Sequence, residues 1–145
     1  MTPKQTAALE YFSNGYNCAQ SVLAAFCEDC GFDTDAALRL ASGFGGGMRC
    51  GEMCGAVTGG IMVVGLKCGF FIKGNFGQKG YCNQKTFEFI EKFREQNSSA
   101  LCRDLLGSDI RSPEDLGRPE MQGLFKAVCP KMIENAVGIL ESMEF

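Results

Sequence analysis

The sequence predicts an all-α protein, a single-domain helical bundle of five to seven helices with glycine-rich loops. Apolar residues recur with a helical period in nearly every segment, and no segment shows the sustained alternation and hairpin turns of β-strands. The length of 145 residues suits one domain, which we assign to residues 1–145. Apolar residues make up 46 % of the chain and charged residues 21 %, so the chain can bury a hydrophobic core.

Three short helices are predicted in the first 42 residues. The first covers about residues 3–12. The second begins after Asn17, because Asn17 and Gln20 have the spacing of a capping box, in which two side chains satisfy two free backbone N–H groups. Either Asp33 or Thr34 caps the third helix, since both side chains can accept a hydrogen bond from a first-turn N–H group.

Glycine recurs at every fourth position in the middle of the chain, at positions 43, 47, 51, 55 and 59. The first part of this segment is predicted to be a loop, because consecutive glycines are poor helix formers. From about Glu52 the glycines line one side of a predicted helix, whose apolar part from Ala56 to Leu66 is expected in the core. An interior glycine costs about 1 kcal/mol relative to alanine. We therefore expect the stripe to permit close helix packing, within the chain or across a homodimer.

A second glycine-rich loop, at residues 69–80, precedes an amphipathic helix that runs to about residue 96. Its predicted core face carries Phe87, Ile90 and Phe93, and its acidic and basic residues lie on the opposite side. The helix is therefore expected to cover one side of the core.

The last part of the chain predicts two more helices. A short helix covers residues 100–106 and is capped by Ser98 or Ser99. The final helix covers about residues 131–143, with Pro130 in its first turn, where the missing N–H group of proline costs no hydrogen bond. This assignment makes the preceding cysteine the cap of the final helix.

The composition excludes several classes of function. The chain carries 17 acidic and 14 basic residues, a net charge of −3 that does not favour nucleic-acid binding. Histidine is absent, which excludes Cys–His and Ser–His–Asp nucleophile systems, histidine-ligated zinc and c-type haem attachment. The N-terminus lacks the apolar segment of a secretory signal, and no apolar stretch approaches the roughly 20 residues of a membrane helix. We expect a cytoplasmic protein with neither nucleic acid nor membrane as a partner.

Nine cysteines remain as the candidates for chemistry. Four of them fall at predicted helix N-termini: Cys18, Cys54, Cys102 and Cys129. A helix N-terminus carries free N–H groups and about half a positive charge, both of which stabilise a thiolate. We therefore take these four as candidate catalytic residues and metal ligands. Gly51 and Gly55 are candidate cofactor-binding positions, where the backbone can approach closely.

The other five cysteines have no role that the sequence specifies: Cys27, Cys30, Cys50, Cys68 and Cys82. Cys27 and Cys30 form a Cys-x-x-Cys pair, but no βα turn precedes it and no second such pair completes a zinc ribbon. Cys50 and Cys82 are candidates for enlarging a metal site or forming a second redox pair.

Four motifs resemble a known family. In chain order they are Gly15-Tyr-Asn-Cys18-Ala-Gln-Ser-Val, Phe44-Gly-Gly-Gly-Met, Gly51-Glu-Met-Cys54-Gly-Ala-Val-Thr-Gly-Gly and Cys102-Arg-Asp-Leu-Leu-Gly. Together they resemble the bacterial redox-active protein family with the C_GCAxxG_C_C cysteine signature. That signature has Gly-Cys-Ala at its centre, where this chain has Cys54-Gly55-Ala56. The resemblance places the four signature cysteines at positions 18, 54, 102 and 129, which the helix-terminus argument also selects.

The resemblance implies redox chemistry and suggests a cofactor. A related domain in split-Soret cytochromes carries haem and an iron–sulfur centre. The resemblance does not imply haem for this chain, because the chain has no histidine to ligate it. It does imply a possible iron–sulfur centre, which needs only thiolates as ligands.

Three functions stay open at this point. The first is an iron–sulfur cluster held by the four cysteines, which exchanges electrons with an unknown redox partner protein. The second is a metal-free thiol–disulfide protein in which Cys54 is the low-pKa attacking thiol and Cys18, Cys102 or Cys129 is the resolving thiol. The third is a structural module in which four cysteines hold a zinc ion.

Overall fold

The computed structural model describes all 145 residues and confirms the all-α prediction, with eight α-helices rather than five to seven. They are α1 (Pro3–Ser13), α2 (Cys18–Cys30), α3 (Thr34–Leu40), α4 (Gly55–Cys68), α5 (Phe76–Asn97), α6 (Cys102–Leu106), α7 (Pro113–Leu116) and α8 (Pro119–Ser142). A 3-10 turn at Ser42–Phe44 and a π-type turn at Gly47–Gly51 connect α3 to α4. The helix that the sequence did not predict, α7, lies between α6 and α8. None of the helices has both the length and the apolar character needed to cross a membrane.

The helix starts read from the first part of the sequence are confirmed. The Asn17 side chain accepts a hydrogen bond from the Gln20 N–H at 2.9 Å, and the Gln20 side chain accepts one from the Asn17 N–H at 2.9 Å. This capping box starts α2 at Cys18. Asp33 rather than Thr34 caps α3, by accepting a hydrogen bond from the Ala36 N–H at 2.8 Å.

Helix α4 lies in the core, where it packs against α2, α5 and α8. The glycine stripe brings the backbones of α2 and α4 into direct contact. A Cβ atom at Gly59 would lie 2.6 Å from the Ala19 carbonyl oxygen and 2.9 Å from the Ala19 Cα. The close packing expected of the stripe is thus found within the chain.

The core face of α5 differs from the prediction. Phe89 and Phe93 are fully buried, whereas Phe87 is 65 % exposed and Ile90 is partly buried. The reason lies on α4, where a Cβ atom at Gly60 would come within 2.2 Å of the Phe89 ring. The ring occupies the space left by the missing side chain, and this contact sets the face of α5 that turns inward.

The final helix has 24 residues, nearly twice the length predicted. It begins at Pro119, so Pro130 lies inside α8 and Cys129 does not cap a helix. A proline inside a helix removes one backbone hydrogen bond and is costly. Met121, before Pro130, and Ile133, after it, are both fully buried, so both halves of α8 pack on the core. This packing outweighs the low helix propensity of proline.

Candidate functional site

All four candidate cysteines line one small chamber of about 10 Å³. Each of the four is at most 7 % exposed. The remaining wall consists of apolar side chains and two glycines: Gly46, Gly55, Leu105, Leu106, Phe125, Val128 and Met132. Residues that are far apart in the sequence thus form one buried cluster of thiols, which we call the four-cysteine chamber.

A short backbone pairing brings Cys54 and Cys102 together. The Cys54 N–H donates to the Ala100 carbonyl at 2.7 Å, and the Cys102 N–H donates to the Glu52 carbonyl at 2.6 Å. Met53 and Leu101 form the antiparallel β-bridge between these bonds. The segment before α4 and the segment before α6 therefore lie side by side, and each delivers a cysteine to the chamber.

Cys18 and Cys129 complete the chamber from α2 and α8. Cys18 is the first residue of α2, Cys54 is the N-cap of α4 and Cys102 is the first residue of α6. The placement at helix N-termini is confirmed for these three. It is wrong for Cys129, which lies in the middle of α8 because the helix starts ten residues earlier, at Pro119.

Gly55 and Gly51, the two predicted cofactor-binding glycines, have different surroundings. Gly55 lines the chamber, and a Cβ atom there would lie 3.0 Å from the Cys18 Cβ. Gly51 does not line the chamber. It has a φ of 72° in the π-type turn, and a Cβ atom there would lie 2.0 Å from the Ile110 carbonyl oxygen. Gly51 thus permits a tight turn, whereas Gly55 permits Cys18 to approach α4.

Burial keeps the thiols of Cys54 and Cys102 protonated at neutral pH. Burial raises the pKa of Cys54 to about 11, although the backbone N–H groups of Ala56 and Val57 hydrogen-bond its sulfur and oppose the rise. Burial and the neighbouring Cys54 raise the pKa of Cys102 to about 12. The expected low pKa of Cys54 is wrong, because the loss of hydration outweighs the stabilisation from the helix terminus.

Cys18 and Cys129 behave as a pair. A hydrogen bond between their side chains lowers the pKa of Cys129 and, together with burial, raises that of Cys18 well above its usual value. Hydrogen bonding to a charged form favours that form. Within the pair, Cys129 therefore loses its proton more readily than Cys18, which donates the hydrogen bond.

A larger cavity of about 750 Å³ adjoins the chamber and shares Cys18, Gly46, Phe125 and Cys129 with it. We call this cavity the cleft. The Cys18–Cys129 pair thus lies between the buried chamber and the cleft. Sequence reasoning missed the cleft, because its lining comes from α1, α2, the glycine-rich segment and α8. No local spacing signals such a surface.

Cys68 and Cys82 form a second pair, away from the chamber. Burial raises the pKa of Cys68 to about 11, and the charge and hydrogen bonding of Cys82 add to the rise. Cys50 is half-buried, and its thiol donates to the Gly47 carbonyl at 3.5 Å. None of these three lines the four-cysteine chamber.

Cys27 and Cys30 lie in the last turn of α2. The Cys27 thiol donates to the Leu23 carbonyl at 3.3 Å, and burial followed by the charge of Cys30 raises the pKa of Cys27. They do not line the chamber either.

No match was found among curated proteins or among solved structures. A family model with the description "Putative redox-active protein (C_GCAxxG_C_C)" matches residues 16–143. The match spans all four chamber cysteines and nearly the whole chain. On this evidence the chain belongs to the C_GCAxxG_C_C family of cysteine-containing redox-active proteins.

Proposed function

We propose that this protein transfers electrons through an iron–sulfur cluster held by Cys18, Cys54, Cys102 and Cys129. The observation that carries the proposal is the number of thiols: four, rather than two, line a single buried chamber. A disulfide couple uses two cysteines, whereas iron–sulfur clusters are commonly held by four thiolates. When bound, the cluster supplies a centre that gains and loses single electrons.

The donor chemistry of the chamber fits such a cluster. No carboxylate, amide or hydroxyl side chain lines it, and soft thiolates favour iron–sulfur centres and zinc over hard cations. Burial holds Cys54 and Cys102 protonated, so a bound cationic centre would displace protons from both. The N–H groups of Ala56 and Val57 that reach the Cys54 sulfur are the kind of outer contact that tunes a cluster potential.

The chamber is small and the cleft beside it is large. As the side chains stand, no group of three or more potential ligands could hold one metal ion. A chamber of about 10 Å³ has room for about one water molecule. The adjoining cleft, which shares Cys18 and Cys129, is the larger space next to these sulfurs. Either a cluster or a single zinc ion would therefore need the four cysteine side chains to move, and the number of thiols, not the space, carries the proposal.

The direct test is analysis of the protein purified without oxygen. We expect iron and acid-labile sulfide in comparable amounts, together with the broad visible absorption of an iron–sulfur protein. Iron without sulfide, zinc alone, or the absence of any metal after anaerobic purification would each contradict the proposal.

A second candidate is thiol–disulfide exchange by Cys18 and Cys129, which their hydrogen bond and their position beside the cleft favour. The Cys129 thiolate would attack a substrate disulfide and release one thiolate. Cys18 would lose its proton and attack the Cys129 sulfur, which releases the second substrate thiol. Two electrons then pass to the substrate, and a Cys18–Cys129 disulfide is left.

The second candidate predicts an order of alkylation among the chamber cysteines. As the pH is raised, Cys129 should react first with iodoacetamide, because its pKa is lowered, whereas Cys54 and Cys102 have pKa values of about 11 and about 12. Site-resolved mass spectrometry over a pH series measures the order. Modification of Cys54 at or below the pH at which Cys129 reacts would refute this candidate.

A further inference from the structure

The cleft beside the Cys18–Cys129 pair is lined by two cationic side chains and by no carboxylate. Arg49 and Lys126 line it, and no Asp or Glu does. Neither cation forms an ion pair anywhere in the chain. Two cations that face one cavity without a partner create a local potential that attracts anions.

The backbone holds Arg49 at the wall of the cleft. Met48 and Arg49 are consecutive non-glycine residues with φ angles of 58° and 62°. The left-handed conformation costs an L-residue about 1–2 kcal/mol, so the surrounding π-type turn must impose it. The turn places an Arg49 guanidinium nitrogen 3.3 Å from the position that a Gly46 Cβ would occupy, and Gly46 lines both the cleft and the chamber.

Three aromatic residues stand among the glycines and polar residues of the remaining lining. Phe12, Tyr16 and Phe125 contribute rings to the cleft, and Phe12 and Phe125 also pack against the core. The volume of about 750 Å³ falls within the range of roughly 300–1,000 Å³ that is typical of small-molecule sites. The cleft therefore combines aromatic surface for a flat organic body with two positively charged side chains.

We propose that the cleft binds an anionic aromatic molecule, with its negative group at Arg49 and Lys126 and its ring system against the aromatic side chains. The molecule would lie next to Cys18 and Cys129, at the edge of the four-cysteine chamber. Its role as the redox partner of that chamber rests on the proposed function, whereas its binding does not.

Fluorescence titration with anilinonaphthalene sulfonate, an anionic aromatic dye, tests the proposal. The double variant Arg49→Gln/Lys126→Gln should bind the dye at least about tenfold more weakly, because each cation contributes a charge-assisted contact. Phenylnaphthylamine has a similar ring system without the sulfonate, and the same double variant should bind it within about twofold of the original protein.

The matched control is Arg39→Gln/Lys73→Gln, which also removes one arginine and one lysine that form no ion pair. Lys73 lines a separate cavity with Phe70 and Phe71, which is the competing site for the dye. The control should leave dye affinity unchanged. An equal loss in the control would place the dye in that other cavity and overturn the proposal.

Two further outcomes would also overturn it: no saturable dye binding, or equal weakening of the charged and uncharged probes. Iron and sulfide are measured on the same preparations. A cluster-containing protein that fails to bind the dye refutes the cleft proposal alone, whereas dye binding by a protein without a cluster refutes the iron–sulfur proposal alone.

Discussion

Replacement of Cys54 by serine is expected to remove bound iron and acid-labile sulfide, and Cys68→Ser is expected to leave both unchanged. The two cysteines flank the same helix, since Cys54 caps α4 and Cys68 is its last residue. Both are buried, at 5 % and 7 % exposure, so the substitutions disturb the core to a similar degree. Only Cys54 lines the four-cysteine chamber, and the rise of the helix separates the two by about 21 Å.

The measurement is iron and sulfide content per chain after anaerobic purification, with circular dichroism to show that both variants fold. Serine is a much poorer ligand for an iron–sulfur centre than a thiolate, and loss of one ligand of four should leave less than about one tenth of the original content. Equal loss in both variants would show that metal binding does not depend on the chamber.

The same variant separates the two candidate functions. If the Cys18–Cys129 pair acts alone by thiol–disulfide exchange, Cys54→Ser should keep its exchange activity, because Cys54 forms neither bond in that sequence of steps. Cys129→Ser should abolish exchange, because it removes the attacking thiolate. Loss of redox activity in Cys54→Ser, together with loss of iron and sulfide, would favour the cluster.

Local signals predicted the helix starts and the cysteines that come together. The capping box of Asn17 and Gln20 satisfies free backbone N–H groups at the start of α2, and Asp33 does the same at the start of α3. Because each contact lies within one turn, the sequence spacing alone predicts it. Cys18 follows directly from such a boundary, whereas Cys54 was selected from a helix expected to begin at about Glu52 and caps a helix that begins at Gly55. Cys129 was selected for the wrong local reason, yet it lies in the chamber because α8 packs against α2 and α4.

The failures concern properties that depend on tertiary packing. The burial of Phe89 in place of Phe87 depends on the space above Gly60 on another helix. The raised pKa of Cys54 depends on how completely the folded chain excludes water, which a helix-terminus argument does not include. The positions of Arg49 and Lys126 in one cleft depend on how a strained turn meets the side of α8.

Substitution of two glycines of α4 by alanine should change stability in opposite directions. Gly59→Ala is expected to lower the free energy of unfolding by about 1–3 kcal/mol, because the new Cβ would lie 2.6 Å from the Ala19 carbonyl oxygen and force α2 and α4 apart. Gly65→Ala is expected to raise it by about 0.5–1 kcal/mol, because no atom lies within 4 Å of the new Cβ and alanine is the better helix former.

Denaturant unfolding measures the stability of both variants, and Gly65→Ala controls for the change in helix propensity that the two substitutions share.

The effect of Gly59→Ala should extend to the four-cysteine chamber. The same contact between α2 and α4 holds Cys18 against Gly55, where a Cβ atom would lie only 3.0 Å from the Cys18 Cβ. If the stripe serves the chamber, Gly59→Ala should lower iron and sulfide content even where the variant remains folded. Unchanged stability and unchanged metal content would mean that the two helices can separate without cost, and that the glycine stripe does not position Cys18.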